Sequence, residues 1–136
     1  MQQKFKRSPG ELINIVTMTE AFFLQENLPA ELRNVVDLAI EELFINMVTY
    51  NTETSQPVEI QMLPFEDGVE VIMTDSDVER FNPTKLRHVN VDAPLEDRQP
   101  GGLGLFLVLK MVDSISYQYE NRQSRINFTV NGKQHV

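Results

Sequence analysis

Apolar positions along this chain change period twice. Leu12, Ile15, Val16, Phe22 and Phe23, with Thr19 among them, recur at the three-and-four spacing of an amphipathic helix. Ser8-Pro9-Gly10-Glu11 supplies its start: a Ser cap, a Pro in the first turn and a Glu three positions beyond the cap. This first helix is expected to run to about Glu26, with Phe22 and Phe23 read as core. Asn27-Leu28-Pro29-Ala30-Glu31 marks the second start, and Val36, Ile40, Leu43 and Met47 then share one face of a long helix ending near Tyr50.

After the loop Asn51–Pro57 the period falls to two. Val58, Ile60 and Met62 alternate with Glu59 and Gln61, Pro64–Gly68 reads as a turn, and Val69–Thr74 reads as the second strand of a hairpin. Ser76–Gln99 carries little periodicity, and a stretch of that length inside a compact domain reads as a functional lid or as disorder. A third helix opens at Gly101–Gly104 and ends near Asp113. Two more strands, Ile115–Glu120 and Arg125–Val130, flank a turn at Asn121–Ser124, and a short first strand near Lys4–Arg7 fits the pattern. Adjacent antiparallel strands with helices grouped to one side predict an α+β two-layer sandwich, a single domain over 1–136.

Composition narrows the function. The chain has twenty acidic and twelve basic residues, a net charge of -8, so it lacks the basic footprint of a nucleic-acid binder. It has no cysteine, which removes disulfides, thiolate metal sites and a cysteine nucleophile. The apolar run Leu103–Val112 is interrupted by Gly104 and Lys110 and is too short to span a bilayer. No signal peptide is visible at the N-terminus, so a cytoplasmic location without membrane contact is expected.

Three groups of residues could carry chemistry. Glu42, Asn46 and Tyr50 lie four apart along one side of the second helix, on the flank of its apolar stripe. A carboxylate and an amide oxygen one turn apart could orient a nucleophile and hold Mg²⁺; on spacing alone a solvated flank serves as well. Thr74-Asp75-Ser76-Asp77 ends a strand, where an Asp could accept from the amine of a base or simply shape a turn. Gly101-Gly102-Leu103-Gly104 opens a helix, whose free N–H groups suit a phosphate; a hinge is the alternative.

Taken in order, these motifs resemble the Bergerat-fold (GHKL) ATPase superfamily over nearly the whole chain. Within it they are most similar to the small bacterial anti-sigma-factor serine/threonine kinases. Ala39–Asn51, AIEELFINMVTYN, resembles the family's N-box, which implies Glu42 as catalytic base and Asn46 as the Mg²⁺ ligand. Gly101–Tyr117 resembles the second glycine box, which implies that Gly101, Gly102, Leu103 and Gly104 cradle phosphates. Val71–Pro83 resembles the first glycine box, which implies an adenine-reading Asp at Asp75 or Asp77 and an aromatic wall at Phe81. Here the chain departs from the family pattern. Asp77 stands where glycine is expected, and one extra residue precedes Phe81-Asn82-Pro83. Tyr50 stands where many relatives have His.

The resemblance implies ATP and Mg²⁺ as cofactors and an ATP lid over about 76–100. It implies a sigma factor and an anti-sigma antagonist protein as partners, the antagonist being phosphorylated on Ser or Thr, and it extends to a homodimer. A second reading keeps the fold and drops turnover: a nucleotide-poor pseudoenzyme that sequesters a protein partner, suggested by the altered first glycine box. A sensor histidine kinase is a third reading, for which only His88 and His135 could serve as phosphoacceptor.

Overall fold

The computed structural model describes residues 1–82, 84 and 102–132. Strand β1 (Gln2–Phe5) leads through Arg7 into a 3-10 turn at Pro9–Glu11 and helix α1 (Leu12–Glu26). Helix α2 (Ala30–Tyr50), strands β2 (Val58–Phe65) and β3 (Gly68–Ser76), helix α3 (Gly102–Met111) and strands β4 (Ser114–Glu120) and β5 (Gln123–Val130) follow. The five strands form one sheet in the order β1-β2-β3-β5-β4, with every neighbouring pair antiparallel.

The local signals act where the residues place them. Ser8 is extended and its hydroxyl accepts the Gly10 N–H at 3.3 Å, while the Glu11 carboxylate accepts the Lys6 N–H at 3.2 Å. Asn27 closes α1 in the left-handed conformation, which Asn tolerates, and the Leu28 N–H returns to the Phe23 carbonyl. Three residues therefore suffice to turn the chain into α2.

One face of the sheet is apolar and covered by the helices. Val58, Ile60, Met62, Val69, Val71, Met73, Ile126, Phe128 and Val130 are fully buried, and they join Phe22, Val36, Ile40, Leu43, Met47, Leu105 and Val108 in one core. Phe22 and Phe23 are both buried in that core. The opposite face carries Glu59, Gln61, Glu70, Arg125 and Asn127, as strand alternation dictates.

Three boundaries differ from the expected ones, each for a pairing reason. β1 is Gln2–Phe5, not Lys4–Arg7, because Phe5 must fall opposite Val58 to reach the core. β2 runs through Pro64 to Phe65. The Met62 N–H donates to the Met1 carbonyl, and Pro64, which has no N–H, lies outside the residues of β2 that pair with β1. β3 and β5 pair as far as Asp75↔Ser124 and Ser76↔Gln123, which draws Asp75 and Ser124 into the sheet. The hairpin turn shrinks to Asn121 and Arg122, both with positive φ.

Candidate nucleotide site

Helix α3 packs on α2, and Gly104 lies against Glu42. A Cβ at this position would collide with the Glu42 carboxylate, so the absence of a side chain is what lets that carboxylate lie against the first turns of α3. Two residues 62 positions apart, singled out separately in the sequence, are thus brought into contact (104 − 42 = 62). Burial raises the Glu42 pKa above the ordinary carboxylate range, and the neighbouring charge of Glu41 raises it further. Asn46, one turn along, is half-buried on the same flank. Tyr50, the next residue of the series, packs its ring on Phe81 with centroids 4.7 Å apart.

Gly104→Ala separates geometry from stability. The substitution favours the helix by about 1 kcal/mol in propensity, and the colliding group is the flexible end of Glu42. The expected result is an unchanged or raised melting temperature with the Glu42 carboxylate displaced from α3, read by thermal denaturation beside an NMR titration of that carboxylate.

The end of β3 is organised around a residue that the sequence reading did not single out. Asp75 has no exposed surface, and the Arg7 guanidinium forms a two-pronged ion pair with it, Nη1 to Oδ1 and Nη2 to Oδ2, the latter at 3.2 Å. Asn51 donates to the same Oδ2 at 2.9 Å. Arg7 also donates to the carbonyls of Met47 at 2.9 Å, Asn51 at 3.0 Å and Gln56 at 3.3 Å. One side chain thus ties the end of α2, the start of β2 and the end of β3 together. Sequence alone gives Arg7 no role, because its partner lies 68 positions away.

Asp77 turns the other way. Its backbone is left-handed, φ 58, the conformation glycine takes without strain, so the chain path of a glycine is kept by a residue that tolerates it. Its side chain is 61% exposed and pairs with Arg122 at 3.1 Å. The Val78 N–H donates to the Arg122 carbonyl, and the Glu53 carboxylate accepts the Glu79 N–H at 2.8 Å, which fixes the chain leaving β3.

Ser124 also escaped the sequence reading, which put it in a turn. It lies opposite Asp75 on the inner face, 1% exposed, with the Tyr117 hydroxyl beside its own. Gly102 and Leu103 form the start of α3. Gly101, Pro83 and the stretch 85–100, which holds most of the expected lid and His88, lie outside the described residues, as does His135.

A carboxylate against a glycine-opened helix, with an amide one turn away and a buried polar wall at a strand end, is a site suited to a phosphorylated ligand. Residues 5–130 match the histidine kinase-like ATPase domain. The chain belongs to that family. Its α+β fold, a five-stranded antiparallel sheet with three helices, is the GHKL-like architecture that the motifs implied. Among curated relatives it is similar to the serine-protein kinase RsbW of Halalkalibacterium halodurans, 26% identical over 90 residues, which is 63% of this chain and 55% of that protein. It is also similar to the serine/threonine-protein kinase BtrW of Bordetella bronchiseptica, 25% identical over 124 residues, 86% of this chain and 87% of that protein. The first match thus spans about half of RsbW, and the second spans most of BtrW.

The histidine kinase-like domain implies a bound nucleotide, and the donor set can be tested for the Mg²⁺ that would accompany it. Among the described residues there is no cluster of three or more His, Cys, Asp or Glu side chains. Mg²⁺ at a nucleotide usually takes one or two protein oxygens, with phosphate and water supplying the rest. A single amide oxygen at Asn46, one helical turn from Glu42, fits that demand. No described helix is long and apolar enough to cross a membrane.

Proposed function

We propose that this domain is an ATP- and Mg²⁺-dependent serine/threonine protein kinase that regulates transcription by binding a sigma factor and phosphorylating an anti-sigma antagonist protein. The contact of Glu42 with Gly104 carries the reading, because it sets a carboxylate of raised pKa at the start of a helix suited to phosphate. The naming of both relatives as serine or serine/threonine kinases supports it.

In this reading Glu42 accepts the proton of the substrate hydroxyl, and Asn46 is the residue that would hold Mg²⁺. Gly102, Leu103 and Gly104 would offer backbone to the phosphates, as the motif also implies for Gly101, and Phe81 with Tyr50 would wall the site. The metal would neutralise charge on the phosphates. The protein's own contribution is positioning, which dominates phosphoryl transfer.

A base must be ionised to work. The raised Glu42 pKa therefore sets the acid limb of the pH–rate profile above the ordinary Glu range. Removing the adjacent charge in Glu41→Gln is expected to lower that pKa and move the limb to lower pH. A profile unchanged in Glu41→Gln would assign the limb to another group.

The reading is tested by capturing partners on the purified chain and incubating the complex with γ-labelled ATP. Label on a captured protein that survives acid and is released by alkali marks phosphoserine or phosphothreonine. Acid-labile label, or none in the presence of a captured partner, would count against it. A second reading, a sequestering module without turnover, draws on Asp77 at the glycine position and on the Arg7–Asp75 pair; partner capture without label is its signature.

A further inference from the structure

We propose that two copies of this chain pair antiparallel along strand β4, with Tyr117 of one opposite Tyr117 of the other, so that the two sheets run on as one. The proposal stands apart from the nucleotide-site reading. The resemblance that implies a homodimer leaves the surface open; the edge strand and its register supply one.

The sheet has two edges, β1 and β4. Natural sheets guard an edge strand by keeping it short, by placing a lysine or proline on it, or by covering it. β1 is four residues long and carries Lys4. β4 is seven residues long, SISYQYE, and pairs with β5 without interruption from Ser114 to Glu120. It has no proline and no lysine, its one charge is Glu120 at the end, and no described strand lies along its outer side. An open, regular edge of this kind is a template for another strand.

The hairpin turn decides which backbone groups the edge offers. Asn121 and Arg122 both have positive φ, the two-residue turn in which the flanking residues, Glu120 and Gln123, exchange both backbone hydrogen bonds. Bonding to β5 then falls on every second residue: Glu120, Gln118, Ser116 and Ser114. Ile115, Tyr117 and Tyr119 therefore point their N–H and C=O groups outward. Antiparallel pairing centred on Tyr117 sets Ile115 against Tyr119 of the second copy, so every outward group meets an outward group. The same register sets Ser116 against Gln118 and Ser114 against Glu120, and no like charges face each other. This self-match selects a second copy over an unrelated strand, and its two-fold symmetry closes the assembly at two. Ile115 and Tyr117 are half-buried at the margin of the core, and the second copy covers their open side.

One seven-residue edge buries less than a standard interface, so the dimer is expected to dissociate in the micromolar range. The test is sedimentation of the full chain from micromolar to submillimolar concentration, without nucleotide, beside Ser116→Lys/Gln118→Lys and Ser116→Glu/Gln118→Glu. Both side chains are exposed. The wild type is expected to pass from monomer to dimer. Each variant alone sets like charges opposite one another and is expected to stay monomeric, and an equal mixture is expected to dimerise, because lysines then face glutamates. Amide exchange on the wild type reads the register: the N–H groups of Ile115, Tyr117 and Tyr119 are expected to slow as the dimer forms. A wild type monomeric throughout, a dimer that both variants keep, or Ile115, Tyr117 and Tyr119 amides that exchange equally fast in monomer and dimer would overturn the proposal. None of these results bears on nucleotide binding.

Discussion

Replacing Arg7 with alanine is expected to lower folding stability by about 3–5 kcal/mol, because it strands a fully buried carboxylate without its counter-charge. Asn51 would remain as the one side-chain donor to Asp75. The carbonyls of Met47 and Asn51, at the open end of α2, would lose the guanidinium as well. A domain of this kind has about 5–15 kcal/mol in total, so the loss is a large share of it. Urea denaturation measures it directly. The double variant Arg7→Met with Asp75→Leu removes both charges and is expected to recover most of the loss, as apolar replacements of buried pairs often do. A loss below about 1 kcal/mol for Arg7→Ala would place the pair with ordinary surface salt bridges and contradict the arrangement described here.

The second large effect is on chemistry. Glu42→Gln keeps the shape of the side chain and removes the base, so phosphoryl transfer is expected to fall by about 10²–10⁴-fold. ATP affinity should change little, since in the proposed reading α3 would hold the phosphates and Asn46 the metal. Stability should not fall either. The folded state holds the Glu42 proton more tightly than the unfolded chain, so the stabilising contribution of the protonated form is lost as pH rises through the folded-state pKa. Above that pKa the ionised group is a cost that glutamine removes. Transfer rate and melting temperature measured on one preparation separate a base from a structural carboxylate. A rate within tenfold of wild type would remove Glu42 from the mechanism.

The parts legible in the sequence are those fixed by local period and local caps. Val36, Ile40, Leu43 and Met47 repeat along one helix face, and all four are buried. Ser8 marks a helical start as its place suggests, but it caps the 3-10 turn ahead of α1, and Glu11 reaches back to Lys6 instead of Ser8. What stayed hidden depends on register. Nothing near Ser124 marks it as a strand residue; pairing with Asp75 makes it one. Nothing near Arg7 distinguishes it from Lys4 and Lys6, and its role exists only once β3 brings Asp75 beneath it. The glycine at 104 was legible as an unusual residue, but the reason for it is a carboxylate on another helix.

The claim at the centre of this account is that Asn46 and the start of α3 bind a metal–triphosphate. Calorimetric titration of the purified chain with ATP, with and without Mg²⁺, beside Asn46→Ala, tests it most directly. Micromolar binding that needs both Mg²⁺ and the Asn46 side chain is the predicted result. Absence of binding up to millimolar ATP, or binding indifferent to both, would contradict it.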